Sequence, residues 1–440
     1  MKKILIIGYV WPEPNSSAAG TRIIQLILFF QSLNYHITFA SPAQPTEHMA
    51  DLKALNIHTE NIKLNCESFD DFILTLNPDM VMFDRFMMEE QFGWRVAQQC
   101  PNAIRLLDSE DLFCLRHARH HAFKQQREIT DTNLLNSYLL NADLLNSELA
   151  KREVAAIFRC DLTLMISHVE MSLLQQTFNV DKALLHYCPF MFEQQQLNQT
   201  ITSYTQRQNF ISIGNFRHPP NWDAVLWLKQ QIWPLIRAQL PQANLLIYGA
   251  YPPPKATALH DEKTGFLVKG WVDDAQQAMQ DARICLAPLR FGAGIKGKLA
   301  EAMMCGTPSV TTYIGAESMQ SDNPWGGAVI SPVINSVISP AINNTQQQAQ
   351  AIADAAINLY EQETLWQQAS ENGITNAQTM YESTQHYDQL TIALDTLINN
   401  IEQHRQQNFI GSMLNHHSHQ STKYMAQWIE AKNKLPQTNL

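Results

Sequence analysis

The chain is short of several things, and each shortage excludes a class of protein. Cysteine is scarce and unpatterned, with seven residues and no Cys-x-x-Cys spacing. An odd, unpatterned set argues against a disulfide framework and reads as reduced thiols in a cytoplasmic protein. Long apolar runs are missing, since no stretch approaches the roughly 20 apolar residues of a membrane span. Met1 to Gly8 starts as a signal peptide would, but the apolar run is too short and Trp11-Pro12-Glu13-Pro14 interrupts it. Positive charge is in the minority, 31 Lys and Arg against 41 Asp and Glu, for a net charge of −10. This excludes bulk nucleic-acid binding, which requires a basic surface, so no nucleic-acid partner is expected. An anionic small ligand would need a locally basic site instead. Two motifs are also lacking. No Gly-x-Gly-x-x-Gly follows the first strand, which argues against a dinucleotide-dependent dehydrogenase, and no two aspartates are spaced Asp-x-Asp.

What is present is enough apolar residue, 45% of 440, for two domains with proper cores. The most informative stretch runs from Ile284 to Ile314. Ile284-Cys-Leu-Ala-Pro-Leu289 reads as a buried strand. A glycine turn follows, Phe291-Gly292-Ala293-Gly294, and a helix is expected from about Ile295 to Cys305. Gly306 and Pro308 end that helix, and Ser309 to Ile314 reads as the next strand. Gly292 and Gly294 let a ligand approach the backbone. The helix behind them directs free N–H groups and its positive end at that space, which suits an anion. Lys296 and Lys298 add charge. Glu301 stands alone among Leu299, Ala300, Ala302, Met303 and Met304. It is either a solvated residue paired with Lys298 at i−3 or an acceptor for ligand hydroxyls. Gly292-x4-Gly297-Lys298 also imitates a P-loop, but Leu299 stands where that motif needs Ser or Thr.

Elsewhere the chain alternates strands and helices. Lys3 to Gly8 is a first strand, followed by a loop of turn residues and a helix opening at Ala18-Ala19-Gly20, the beginning of a doubly wound sheet. That helix is apolar nearly all round, which reads as buried or, alternatively, as a membrane-facing patch. Strands are expected at His36–Ser41, Asp79–Asp84, Ala103–Asp108 and Asp161–Ser167, and a long helix at Asn133–Arg159. Ligands bind beyond the carboxyl ends of such strands, and Asp108 and Asp111 lie beyond one of them. After the Gln/Asn-rich stretch Glu193–Gln208, strands recur at Phe210–Gly214, Asn244–Gly249 and Phe266–Val272, with a helix at Trp222–Leu240. Helices are expected at Asn344–Tyr360, Leu365–Ser370 and Met380–Gln403. The last carries an apolar face of Tyr387, Leu390, Ile392, Leu394, Leu397 and Ile401. His416-His417-Ser-His419 in the tail could bind a metal, but a His cluster in a Gln/Asn-rich tail reads first as solvated.

Ala287-Pro-Leu-Arg-Phe-Gly-Ala-Gly-Ile-Lys-Gly-Lys298, then Glu301-Ala-Met-Met-Cys-Gly-Thr-Pro308 and Gly315-Ala-Glu317, resemble the nucleotide-sugar domain of group 1 glycosyltransferases. The resemblance extends over roughly Lys3 to Gln403. It implies an α/β GT-B fold, two Rossmann-like domains with parallel sheets facing a central cleft. The implied domains are 1–192 on the acceptor side, a linker at 193–208, and the nucleotide-sugar-binding domain at 209–380. A return helix at 381–405 and a polar, mobile tail at 406–440 complete the chain. The implied reaction is transfer of a hexose from a nucleotide-diphosphate sugar to an acceptor hydroxyl, with retention, in surface polysaccharide or glycoconjugate synthesis. The acceptor would be a glycan, a lipid-linked glycan or a protein, and peripheral membrane contact would be compatible with a cytoplasmic location.

By the same resemblance, Lys296, Lys298, Arg217 and the loop from Gly292 to Ile295 would hold the diphosphate, and Glu301 the ribose. Ala19, Gly20 and Arg22 lie where the family's first loop meets the donor, and Gly214 lies at the end of the second domain's first strand. Trp271 and Val272 lie where the base is received. Asp108 and Asp111 match a position that contacts the donor sugar. One departure matters, because many relatives carry a further glutamate eight residues before the second one, and here that position is Ala293. The family usually needs no metal, and the missing Asp-x-Asp agrees, so no cofactor beyond the donor is expected. The alternatives are a P-loop-like nucleotide hydrolase and a non-catalytic nucleotide-sugar-binding module.

Overall fold

A computed structural model of the protein describes residues 2–125, 147–331 and 340–434. Two parallel sheets carry the architecture. The first contains β1 (Lys3–Ile7), β2 (His36–Ser41), β3 (His58–Asn61), β4 (Met80–Asp84), β5 (Ile104–Asp108), β6 (Leu162–Met165) and β7 (Leu185–Tyr187). Their spatial order is β3-β2-β1-β4-β5-β6-β7. The second contains β8 (Gln208–Ile213), β9 (Leu245–Tyr248), β10 (Phe266–Gly270), β11 (Ala282–Ala287), β12 (Ser309–Thr312) and β13 (Gly327–Ile330). Its order is β10-β9-β8-β11-β12-β13. Both orders reverse direction beside their first strand, between β1 and β4 and between β8 and β11. Such a reversal splays the loops at the strand carboxyl ends apart and opens a crevice.

The central strands are apolar on both sides because helices cover both faces of each sheet. Leu5, Ile7, Val81 and Phe83 pack into one layer of the first sheet, and Ile4, Ile6, Met80 and Met82 into the other. The second sheet divides the same way, with Phe210, Leu245 and Ile284 on one side and Ile211, Cys285 and Ala287 on the other. The edge strand β3 has no apolar run and is half exposed, so periodicity gave no signal for it.

The chain crosses back to the first domain near its end. Phe192 N–H donates to Tyr381 O (2.7 Å) and Ser383 N–H to Phe192 O (2.9 Å). The helix Ser383–Asn399 then inserts Leu390, Leu394 and Leu397 into the first domain's core. Burying each stabilises by roughly 1.5–3 kcal/mol. Ile392 falls on the opposite side and is 66% exposed, so it does not belong to the apolar face expected of this helix. Other elements also differ from expectation, among them the helix expected over Met380–Gln403, which is interrupted at Glu382 and Asn400. The helix expected over Trp222–Leu240 runs as Pro219–Trp227, a π-helical segment Leu228–Ile232 and Trp233–Gln239. Pro234 has no N–H to donate, and the wider turn accommodates that loss. The tail is one helix, Phe409–Lys434. Of the helix expected over Asn133–Arg159, residues 133–146 lie outside the described residues, and Glu148–Arg159 is helical with Ser147 Oγ capping it. The side chains of 417–420, which include His417 and His419, are also outside the described residues.

Candidate active site

The two crevices face each other and merge into one cleft of about 1120 Å³. From the first domain it is lined by the loop after β1, including Ala18, Ala19 and Arg22, and by Arg85, Glu110 and Asp111 beyond β4 and β5. From the second come Gly214, Arg217, His218 and Asn221 after β8, and Asp273 to Gln276 after β10. Gly292, Ala293, Ile295, Lys296, Lys298 and Glu301 follow β11.

The helix Gly297–Met304 begins directly at the cleft, with Lys296 as its N-cap and no side chain capping it. The first amides of such a helix have no intrahelical acceptor. Leu299 and Ala300 N–H reach back to Lys296 O, and the Lys296 N–H meets Met319 Sδ at 3.1 Å. Lys298 Nζ donates to Asn221 Oδ1 (2.8 Å). Burial lowers its ammonium to about 8. Gly214 makes room for this pair, since a Cβ there would come within 2.6 Å of Asn221 Nδ2 and 2.7 Å of Lys298 Nζ. Glu301 lies one turn further along the same helix. Burial raises its carboxyl to about 7, with Lys298 pulling the other way. No ion pair within 4 Å joins the two among the described residues, and Glu301 borders the cleft. Glu301 is thus partly buried at the cleft edge, close enough to Lys298 to feel its charge but not ion-paired with it. Leu299, at the position of the P-loop hydroxyl, is buried in the second domain's core.

Other expected residues take different places. Gly294 N–H donates to Glu170 Oε1 (2.6 Å) and is not open to the cleft. Its φ of +64° suits glycine, and a Cβ would meet Asp111 Cβ at 2.8 Å. Lys296 is buried and donates its Nζ to Gly294 O. Its ammonium is lowered by burial, against the opposing pull of Glu317. Ala293 packs with the first domain's core cluster. Arg22 borders the cleft, but its guanidinium is held by Asp108, at 2.8 Å from Nε and 2.7 Å from Nη2. Asp108 is fully buried behind the cleft wall, while Asp111 faces the cleft and grips Arg116 at 2.6 Å. Gly20 has a packing role, because a Cβ would lie 2.3 Å from Glu13 O. Trp271 and Val272 do not line the cleft. Trp271 instead stacks on His48 of the first domain, centroids 3.6 Å apart. Arg217 is exposed and lies 3.7 Å above the Tyr251 ring, whose hydroxyl donates to Glu13 Oε1 (2.9 Å).

Three features had no signal in the sequence reading. Arg119 of the first domain makes a fully buried two-point pair with Glu317 of the second, both bonds 2.8 Å, and also donates to Gly292 O (2.7 Å). Burial pushes the Glu317 carboxyl up, but Arg119 outweighs it and the net direction is down. Glu170 receives the Gly294 amide across the domain boundary, and burial with nearby Asp111 raises it to about 8. Arg119 and Glu170 together hold the glycine loop from the far side of the cleft. Glu110 lines the cleft with φ +60° and no hydrogen bond to Oε1. Burial, then Asp108 and Asp84, push its carboxyl well above the usual range.

Comparison with known proteins agrees with this geometry. Residues 207–362 match the family described as glycosyl transferases group 1. The fold is similar to sucrose-phosphate synthase from Thermosynechococcus elongatus, with a TM-score of 0.62 and 16% identity over 91% of this chain and 100% of that one. It is similar to HepE of Anabaena, solved with UDP and glucose, with a TM-score of 0.58 and 15% identity over 90% and 100%. It is also similar to TarM of S. aureus, solved with UDP, with a TM-score of 0.63 and 10% identity over 89% and 99%. An uncharacterized protein of the cps region of Klebsiella pneumoniae is 28% identical over 116 residues. That match spans 25% of this chain and only 30% of the relative's length. The family match includes the helix Gly297–Met304 and the fold match extends over both sheets, so the protein has a GT-B fold and its residues 207–362 are similar to the group 1 glycosyl transferases.

Proposed function

We propose that the protein is a glycosyltransferase that moves a hexose from a nucleotide-diphosphate sugar to an acceptor hydroxyl with retention of configuration. The observation that carries this is the pairing of functions on one short helix. Lys298 and the helix N-terminus present positive charge, and Glu301, one turn on, presents a carboxylate not bound to that lysine. A nucleoside diphosphate has that same order of groups, an anion next to a ribose diol. In the reaction the acceptor oxygen bonds to the anomeric carbon as its bond to the diphosphate oxygen breaks. The diphosphate leaves with the electron pair, and the acceptor proton is released. Lys298, the helix amides and Arg217 stabilise the charge that develops on the diphosphate. No metal need supply that charge. UDP in HepE and TarM makes uridine the first nucleoside to try, and the cps-region relative favours surface polysaccharide as the product class. Thermal-shift screening against nucleoside diphosphates and their sugars, followed by NMR of the product's anomeric configuration, tests the reading. Absence of stabilisation by any nucleoside diphosphate would overturn it, and an inverted product would remove retention alone.

A second reading is favoured by one observation. Ala293 is buried against the first domain where the resemblance calls for a carboxylate, so the chain could hold nucleotide sugar without turning it over. Donor binding with neither hydrolysis nor transfer would select that reading.

A further inference from the structure

The helix Phe409–Lys434, 26 residues long, is anchored on the first domain. It lies on the helices Phe86–Gln99 and Glu148–Arg159. Gly411 sits so tightly that a Cβ would meet Phe158 O at 2.1 Å, Ala426 is buried, and Glu430 is bound by Arg95. These three define the inner side. The outer side carries Phe409, Ile410, Met413, Tyr424, Met425 and Trp428, between 45% and 74% exposed. At about 100° per residue they fall within an arc about 160° wide, opposite Gly411, Ala426 and Glu430, an arc that also holds Leu414, which is partly buried against the first domain. Glu430 is the helix's only carboxylate, while Lys432 falls within the arc and Lys423 about 40° beyond its edge. Lys432 Nζ lies 5.3 Å from the Trp428 ring. The outer face thus carries apolar, aromatic and cationic side chains together with exposed Ser421 and Gln427, on a chain whose net charge is −10.

We propose that this face docks the protein on an anionic lipid bilayer, with the helix lying in the interface plane. Trp and Tyr rings prefer the headgroup level, where an apolar body and a polar edge are both satisfied. An amphipathic helix with lysines at its margin adds attraction to anionic lipid. Charge also distinguishes this occupant from a second copy of the chain. Two such faces paired about a two-fold axis would bring lysines together and offer them no carboxylate. The helix sits on the domain opposite the nucleotide-binding one, which leaves the second domain free to move while the first is held.

The test uses the full chain and sedimentation with two vesicle preparations, phosphatidylcholine alone and three parts phosphatidylcholine to one part phosphatidylglycerol. The parent is expected to sediment with the anionic vesicles, less so as salt is raised, and not with the neutral ones. Phe409→Ser with Trp428→Ser should lower the partition coefficient about tenfold or more, as should Lys423→Glu with Lys432→Glu. Because these side chains are exposed, both variants should melt with the parent and keep its nucleoside-diphosphate affinity, which separates this result from the reading of the cleft. No binding of the parent to anionic vesicles, or equal binding by all three proteins, overturns the proposal. A concentration-dependent dimer that Trp428→Ser dissociates would assign the face to a second copy instead.

Discussion

Glu301→Gln separates a carboxylate kept for a ligand from one kept for the fold. In the empty protein burial raises this carboxyl from 4.5 to about 7. At 1.36 kcal/mol per unit, that is about 3 kcal/mol against the ionised form. The group edges an open cleft, so screening reduces the working figure to about 1–2 kcal/mol. The sign follows from the direction of the shift. The folded state holds the proton more tightly than the unfolded state, so the contribution is fully present below pH 4.5 and is lost as pH rises through about 7. Glutamine never ionises and avoids that loss. The variant should therefore melt about 2–6 °C above the parent at pH 8, with the difference closing toward pH 4.5.

Donor affinity should move the other way. Loss of charge-assisted bonds worth ~1.5–3 kcal/mol lowers it roughly ten- to a hundredfold. The parent should discriminate against a 2′-deoxy nucleotide, since a site built around a hydroxyl leaves polar groups unpaired when that hydroxyl is absent. The variant should discriminate much less. Melts at both pH values, with and without ribo- and deoxyribonucleoside diphosphates, read all of this at once. If the variant is no more stable at pH 8 and binds both nucleotides as the parent does, Glu301 is an idle charge and the nucleotide reading of the helix fails.

Three further outcomes are expected. Lys298→Ala should weaken nucleoside-diphosphate binding about ten- to a hundredfold, with a smaller loss for Lys296→Ala, whose ammonium is already committed to Gly294 O. The parent's affinity should fall as pH rises through about 8, where Lys298 loses its charge, and Lys298→Ala should abolish that limb in a calorimetric titration. Transfer should survive a strong chelator, because Lys298, Arg217 and the helix N-terminus can carry the charge alone; loss of turnover restored by Mn²⁺ or Mg²⁺ would contradict this. Glu317→Gln leaves Arg119 buried without its counter-charge and should cost about 3–5 kcal/mol, whereas pairing it with Arg119→Met should recover much of that in chemical denaturation.

The sequence alone determined the elements with local causes. Apolar runs marked the central strands, such as Lys3–Ile7 and Ala282–Ala287. The Gly-then-Pro stop ended the helix behind Gly292 and Gly294, and the leucines of Ser383–Asn399 announced a buried face. The motif around Lys298 and Glu301 was legible for the same reason, because its members are neighbours in the chain and share one helix. Tertiary structure alone decided which candidates reach the cleft. Asp108 and Arg22 look functional in sequence, yet Asp108 lies buried behind the wall and holds the guanidinium of Arg22 from 86 residues away. The Gly294 amide looks free until Glu170 meets it from 124 residues away. Arg119 and Glu317, 198 residues apart, carry no periodicity or spacing that links them. A buried charge is stable only beside its partner, and partners this distant are chosen by how two sheets and their helices pack, which no local pattern records.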